Sequence, residues 1–224
     1  MPSFASLFTK LPADFGRLAS VGNGVVIGGA GAFALAVHPG DRTVAEKTQA
    51  SPGLEEFLDP GEPLGSGFLH GGGAFAVYLL GRFSRQPRTA MVGADLVRAQ
   101  VVEGALTQSI KAVAPRDRPD GGHHSFPSGH SAASFATAKV LQDHFGWKAG
   151  LPAYGLATYV AAARLSENHH FLSDVIFGAG IGIIAGRAVT VGHGPRAFAI
   201  SPAIEPGVFG VSVTKVNSTA GAGR

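Results

Sequence analysis

The sequence contains no cysteine. Disulfide frameworks, zinc-thiolate sites, iron–sulfur clusters and a cysteine nucleophile are therefore excluded. Charge is also scarce: Asp, Glu, Lys and Arg make up 15% of the 224 residues, against about 25% in an ordinary soluble domain. No dense Lys/Arg run is present, and the net charge is only +3. The aromatics are mostly phenylalanine without basic interleaving, so nucleic acid is not an expected partner. The opening stretch, Met1 to Leu18, lacks the basic, apolar and small-residue regions of a secretory signal. The expectation is a chain without an export signal, or a mature form with Met1 added.

Glycine and proline are abundant instead, at 33 and 14 residues. No Gly-X-Y repeat exists, which excludes collagen. A hydrophobic content of 45% excludes disorder over most of the chain. The length suits a single domain over 1–224. The reading is all-α, a bundle of about six main helices at 17–37, 66–83, 90–112, 130–146, 150–166 and 171–188. Residues 66–190 form its expected catalytic core. Residues 38–65 read as a polar surface linker with a short helix near Gly53–Leu58. The linker carries a net −4 and leaves +7 on the remainder. Residues 192–224 read as an extended tail or short β-hairpin around Ile204-Glu205-Pro206-Gly207, with Ser218 to Arg224 disordered.

Several apolar segments approach the roughly 20 residues of a membrane span. Leu18 to His38 has no charge, and Phe171 to Gly186 has only Asp174. Two other helices argue the opposite way. Asp95, Arg98 and Glu103 fall within about 140° of each other at 100° per residue, which makes one face polar. Lys139, Asp143 and His144 charge another helix. Mid-span charges cost about 2.5–3.5 kcal/mol each on insertion scales. The balance tips slightly toward a soluble or peripherally attached domain, with a multi-pass membrane protein as the alternative. Glycines in the apolar helices are assigned mostly to close packing, with a lipid-facing surface as the other reading.

Three clusters lie where helices meet loops. Lys111 closes one helix and leads through Arg116 to Arg118-Pro119. These cations suit phosphate oxygens, but they equally complement a helix C-terminus. Pro127-Ser128-Gly129-His130 opens another helix. Ser128 is the expected cap, the exposed N–H groups bind anions, and His130 is placed to donate a proton. Arg164 is followed by His169, His170 and Asp174. On a helix, His170 and Asp174 share a face, so the carboxylate can hold one ring nitrogen and leave the other as a nucleophile. His169 points about 100° away and reads as a bystander. Jointly the clusters supply what phosphoryl transfer through a covalent intermediate needs.

These spacings resemble the three motifs of the type 2 phosphatidic acid phosphatase superfamily: Lys111-x6-Arg118-Pro119, Pro127-Ser128-Gly129-His130 and Arg164-x5-His170-x3-Asp174. One departure is Ala163 before Arg164, where the family usually has serine. The resemblance implies a helical-bundle fold and a phosphatase. By that likeness His170 attacks phosphorus, Asp174 orients it, and His130 protonates the leaving group and then activates water. Lys111, Arg118, Arg164, Ser128 and the Gly129 N–H hold the phosphoryl oxygens. No metal or other cofactor is implied, although vanadate can occupy such a pocket as a phosphate mimic. Asp117 and Asp120 are expected to tune the site. The run from His170 to Gly180 looks like the lipid-phosphatase branch. The expected substrate is a lipid phosphate or another organic phosphomonoester or pyrophosphate, met at a periplasmic or membrane-associated, outward-facing site. A vanadate-dependent haloperoxidase, or a non-catalytic phosphate-binding protein at the membrane, are the alternatives.

Overall fold

The computed structural model describes residues 1–49, 52–191, 197–205 and 208–216. The chain starts with two short helices, α1 (Ser6–Thr9) and α2 (Leu11–Leu18), then α3 (Val21–Val37) and a 3-10 turn at His38–Gly40. Next come α4 (Asp41–Gln49), α5 (Pro52–Leu58) and α6 (Gly61–Gly65). Five long helices follow: α7 (Gly67–Phe83), α8 (Pro87–Val113), α9 (Gly129–Phe145), α10 (Trp147–Ser166) and α11 (Leu172–Thr190). Beyond them, β1 (Ala197–Glu205) and β2 (Val208–Val216) pair antiparallel, with Ala197 opposite Val216. The expected turn at Pro206-Gly207 and the tail from Ser218 lie outside the described residues.

Local sequence sets the helix ends. Ser20, Ser66 and Ser128 cap α3, α7 and α9 by accepting from the N–H groups of Asn23, Leu69 and Ser131. Pro87 sits in the first turn of α8, where its missing donor costs nothing. Gly146, at φ 75°, stops α9 in a conformation that favours glycine. The six long helices match the expected spans within a few residues. What the pattern missed is the break at Ala19–Ser20 that separates α2 from α3, and the helicity of much of residues 38–65.

The long helices alternate in direction, so α3, α8 and α10 end where α7, α9 and α11 begin. The core is built of small and branched residues, among them Ala99 and Val102 of α8, Ala136 and Val140 of α9, and Ala185 and Val189 of α11. Helices α9 and α11 approach unusually closely along Gly178, Gly182 and Gly186. A Cβ on Gly182 would fall 2.7 Å from the Ala136 nitrogen, and one on Gly186 2.7 Å from Lys139 Cβ. The packing role expected of the glycines therefore holds on α11. It does not hold for most of α3 and α7, where Gly24, Gly28, Gly29, Gly71, Gly72 and Gly73 face open space.

The charged residues of α8 do not form an exposed polar face. Asp95 and Arg98 are each 2% exposed, and Glu103 is buried too. Arg98 bridges Asp95 and Asp14 of α2 and donates to the Val189 carbonyl at 3.2 Å. His144 reaches Asp95 at 2.8 Å. Asp143 pairs with Lys139 and accepts from Thr190 Oγ1 at 2.5 Å. Asp95, Arg98 and Glu103 share one face, as their spacing implies, but that face turns inward, where paired charges can be accommodated. Residues 38–65 also depart from a surface linker, because Asp41, Leu58, Gly61 and Gly65 are buried against the bundle.

Candidate active site

The ends of α8 and α10 and the starts of α9 and α11 meet at one end of the bundle. The loop from Ala114 to Ser128 covers this end and is shaped by its own backbone. Arg118 N–H donates to Gly122 O at 2.7 Å, and Ser125 N–H to Arg116 O at 2.8 Å. Asp120 N–H donates to Asn168 O at 3.1 Å, tying the loop to the α10–α11 connection. Gly121 has φ 87°, which lets the loop fold back through Arg118. All eight residues expected at the site are carried by these helix ends, this loop or that connection.

Lys111 lies in the last turn of α8, and its Nζ donates to the His124 carbonyl. Ser128 is buried; its hydroxyl accepts from Ser131 N–H, and its own N–H donates to Asp174 O at 3.1 Å. Gly129 opens α9, and a Cβ there would lie 3.7 Å from Thr107, an ordinary contact. His130 follows it and packs on Gly65: a Cβ on Gly65 would lie 3.0 Å from His130 Cδ2. Arg164 is 3% exposed at the end of α10. Its guanidinium pairs with Glu167, approaches Glu62 at 3.7 Å, and touches His169 Nδ1. The Nε atoms of Arg164 and Arg118 are buried and have no hydrogen-bond partner.

His170 precedes α11 rather than standing on it. Its N–H donates to the Arg164 carbonyl at 3.2 Å, which fixes the two parts of the third motif on each other. The ring is buried, and Nδ1 stands 3.9 Å from Asp174 Oδ2 without a hydrogen bond. Asp174 is the third residue of α11, and its Oδ2 accepts from Phe171 N–H at 2.8 Å, so the carboxylate caps the helix. The shared helix face expected for this pair is therefore absent, because the chain turns at Phe171 to enter α11. Burial, with the fields of Lys111, Arg164 and Arg118, pushes the His170 ring far below its usual range. It is a neutral imidazole among cations.

Neighbours absent from the motifs complete the site. Arg116 Nη1 lies 2.5 Å from Asp174 Oδ1, and Ser125 Oγ donates to Asp174 Oδ2 at 2.5 Å. Asp41 of α4 receives Arg116 at 2.7 Å. His169 faces Arg164, Glu167 at 3.3 Å and Asp120 at 3.6 Å. Asp120 also accepts from Gly122 N–H, while Asp117 pairs with the exposed His123. Glu62, Glu167 and His169 have ligand atoms within 4.8 Å of one another, as a metal site would need. All three face the Arg164 guanidinium, which already supplies the positive charge. An apolar groove of about 370 Å³ opens beside the site, lined by Leu35 and Ala34 of α3, Phe126, Phe177, Arg116 and His38.

Lys111, Arg118, Arg164, His130 and His170 are thus gathered at one end of an antiparallel helical bundle. Residues 87–197, just under half of the chain, match the PAP2 superfamily. It is 34% identical over 88 residues to a lipid A 1-phosphatase of Porphyromonas gingivalis, covering 38% of this chain and 20% of that protein. The matched stretch thus spans a fifth of the relative's length. The fold is similar to the crystal structure of Aquifex aeolicus LpxE, with a TM-score of 0.55 and 25% identity, over 67% of this chain and 92% of the other.

Proposed function

We propose that this protein is a metal-independent lipid phosphate phosphatase that works through a phosphohistidine. The observation that carries this reading is the set of unsatisfied polar atoms around His170. Arg118 Nε and Arg164 Nε are both buried without a hydrogen-bond partner, and the fields of both guanidinium groups act on the His170 ring. Orphaned donors are expensive in a protein interior, so they mark a place that an anion completes. The start of α9 adds backbone N–H groups aimed at the same anion.

In this mechanism His170 Nε2 attacks phosphorus and the P–O bond to the alcohol breaks. His130 gives its proton to the departing alkoxide. It then takes a proton from water, which attacks the phosphohistidine and releases inorganic phosphate. Lys111, Arg118, Arg164, Ser128 and the Gly129 N–H hold the phosphoryl oxygens as charge builds on them. Neutral His170 is the nucleophilic form, and the Asp174 carboxylate stabilises the cation that forms on it.

A membrane setting supports the lipid class. Leu35, Phe68 and Phe83 are 75%, 90% and 82% exposed on α3 and α7. Helix α3 carries no charge, and only Asn23 and Ala34 of it are buried. Such faces are costly in water and suited to acyl chains. The segment from Val21 and the helix Leu172–Thr190 are long and apolar enough to cross a bilayer, although the second is mostly buried in the bundle. Asp95, Arg98 and Glu103 of α8 are buried and Asp143 and His144 of α9 half-buried, so these mid-helix charges face the bundle and are compatible with a surrounding bilayer. Far from the site lie Lys10, Arg17, Arg82, Arg85, Arg88, Lys148 and Arg187. The site-end connections hold Arg42, Lys47, Arg116 and Arg118, the last two turned to the site. The positive-inside rule then orients the site outward.

The test is phosphate release in EDTA by the full chain in detergent, for wild type and His170→Ala. Phosphatidic acid, lipid A and a chromogenic phosphomonoester form the substrate panel. EDTA-resistant release, blocked by vanadate and absent in the variant, is expected. Equal release by the variant overturns the phosphohistidine.

A further inference from the structure

We propose that Arg116 is a positioning residue: anchored on Asp41, its guanidinium fixes the orientation of the Asp174 carboxylate beside His170. This inference rests on the phosphatase reading above and adds to it a residue outside the three motifs.

The guanidinium has two occupied arms. Nη1 donates to Asp174 Oδ1 at 2.5 Å and to Ser173 Oγ at 2.8 Å. Nη2 donates to Asp41 Oδ2 at 2.7 Å and lies 3.3 Å from His38 Nδ1. The flat face rests on the Phe171 ring at 4.4 Å. Asp41 in turn accepts from Ser173 N–H at 3.0 Å and from Ser173 Oγ at 2.5 Å. One side chain from the loop after α8 thus ties the start of α4 to the start of α11.

Two features separate this role from phosphate binding. Both arms of Arg116 are committed to carboxylates, whereas Arg118 and Arg164 keep buried nitrogens without partners. Arg116 also grips the Asp174 oxygen turned away from His170. The facing oxygen, Oδ2, is held by Ser125 and Phe171 N–H. Donors on both oxygens fix the rotation of the carboxylate, and a planar fork anchored at its far side does this better than a point charge. Preorganisation of this kind acts on the bond-making step rather than on substrate affinity.

The test compares Arg116→Ala, Arg116→Lys, Asp41→Asn and wild type, as full chains in detergent. Two readouts are used: steady-state kinetics on a chromogenic phosphomonoester, and the ring ¹⁵N shifts of His170, assigned by their loss in His170→Ala. Arg116→Ala is expected to lower kcat about 10- to 100-fold, the usual scale for outer partners of a reactive group, with KM nearly unchanged. Added guanidinium should restore part of that kcat in Arg116→Ala and none in His170→Ala. The ring shifts should move from one Nδ1–H tautomer toward a mixture. Arg116→Lys and Asp41→Asn should fall between, and they carry the test if the alanine variant does not fold. Wild-type kcat with unchanged shifts overturns the proposal, as does a loss confined to KM, which would make Arg116 a phosphate ligand. If wild type releases no phosphate, the phosphatase reading fails, while the ring shifts still decide whether Arg116 positions His170.

Discussion

Asp174 Oδ2 stands 3.9 Å from His170 Nδ1, beyond hydrogen-bond reach, while Ser125 Oγ holds the same oxygen at 2.5 Å. The carboxylate therefore acts on the histidine in this state through its charge. Asp174→Asn keeps the shape and the helix cap and removes that charge. We expect kcat on a chromogenic ester to fall about 100-fold or more, the scale of a lost acid–base contribution, with intact folding by circular dichroism. Ser125→Ala removes one of the two donors on Oδ2 and leaves Phe171 N–H in place, so it should cost less than about 10-fold. A larger loss in Ser125→Ala than in Asp174→Asn would contradict this ranking.

Glu167 gives the site a pH dependence near neutrality. Burial pushes its carboxyl up to about 7, and Glu62 and Asp59 add to the rise against the opposing pull of Arg164. Above that pH, Glu167 is ionised and engages the Arg164 guanidinium; below it, Glu167 is neutral and Arg164 is released toward phosphate. His170 is held far below the usual histidine range by burial and nearby cations, so it stays neutral through this window. KM for a phosphomonoester should therefore fall as pH drops from 8 to 6. Glu167→Gln should show a low KM with a flatter profile. The substrate's own ionisation acts on both proteins alike, so the difference between their profiles isolates Glu167. Parallel profiles would remove Glu167 from the site's pH response.

Much of this architecture is legible in the sequence, and the misses have physical causes. Apolar runs and serine caps mark the long helices, because both signals are local. The direction of the α8 charges is not local. Asp95, Arg98 and Glu103 share a face whether it looks at water or inward, and the partners that receive it inside, Asp14 and the Val189 carbonyl, lie 84 and 91 positions from Arg98. Asp41 reaches the site from 75 positions before Arg116, with no motif to announce it. His170 and Asp174 have helical spacing, yet the chain enters α11 only after Phe171, since Asp174 itself caps that helix.

The glycines divide into two groups with opposite expected behaviour. On α11, Gly182→Ala forces a methyl against the α9 backbone and should destabilise the protein by about 1–3 kcal/mol, as overpacking does. On α7, Gly72 faces open space, so Gly72→Ala has room and favours the helix by about 0.5–1 kcal/mol. Thermal unfolding of the two variants in the same detergent should shift in opposite directions. Shifts of the same sign would mean that the α9–α11 contact is looser than described.

The absence of native cysteine makes the membrane orientation directly measurable, since a single introduced thiol is the sole reporter. Glu56 lies exposed in α5, in the segment that leads to the site, and Ser84 lies exposed at the opposite end, just after α7. If the site faces outward, a membrane-impermeant maleimide added to intact spheroplasts labels Glu56→Cys and spares Ser84→Cys. Permeabilised spheroplasts should label both. The reverse pattern would turn the protein over and place the site on the cytoplasmic face, against the distribution of lysine and arginine. Recovery of the chain in the supernatant after alkaline carbonate treatment would show that it does not span the bilayer. The exposed faces of α3 and α7 would then need another apolar partner.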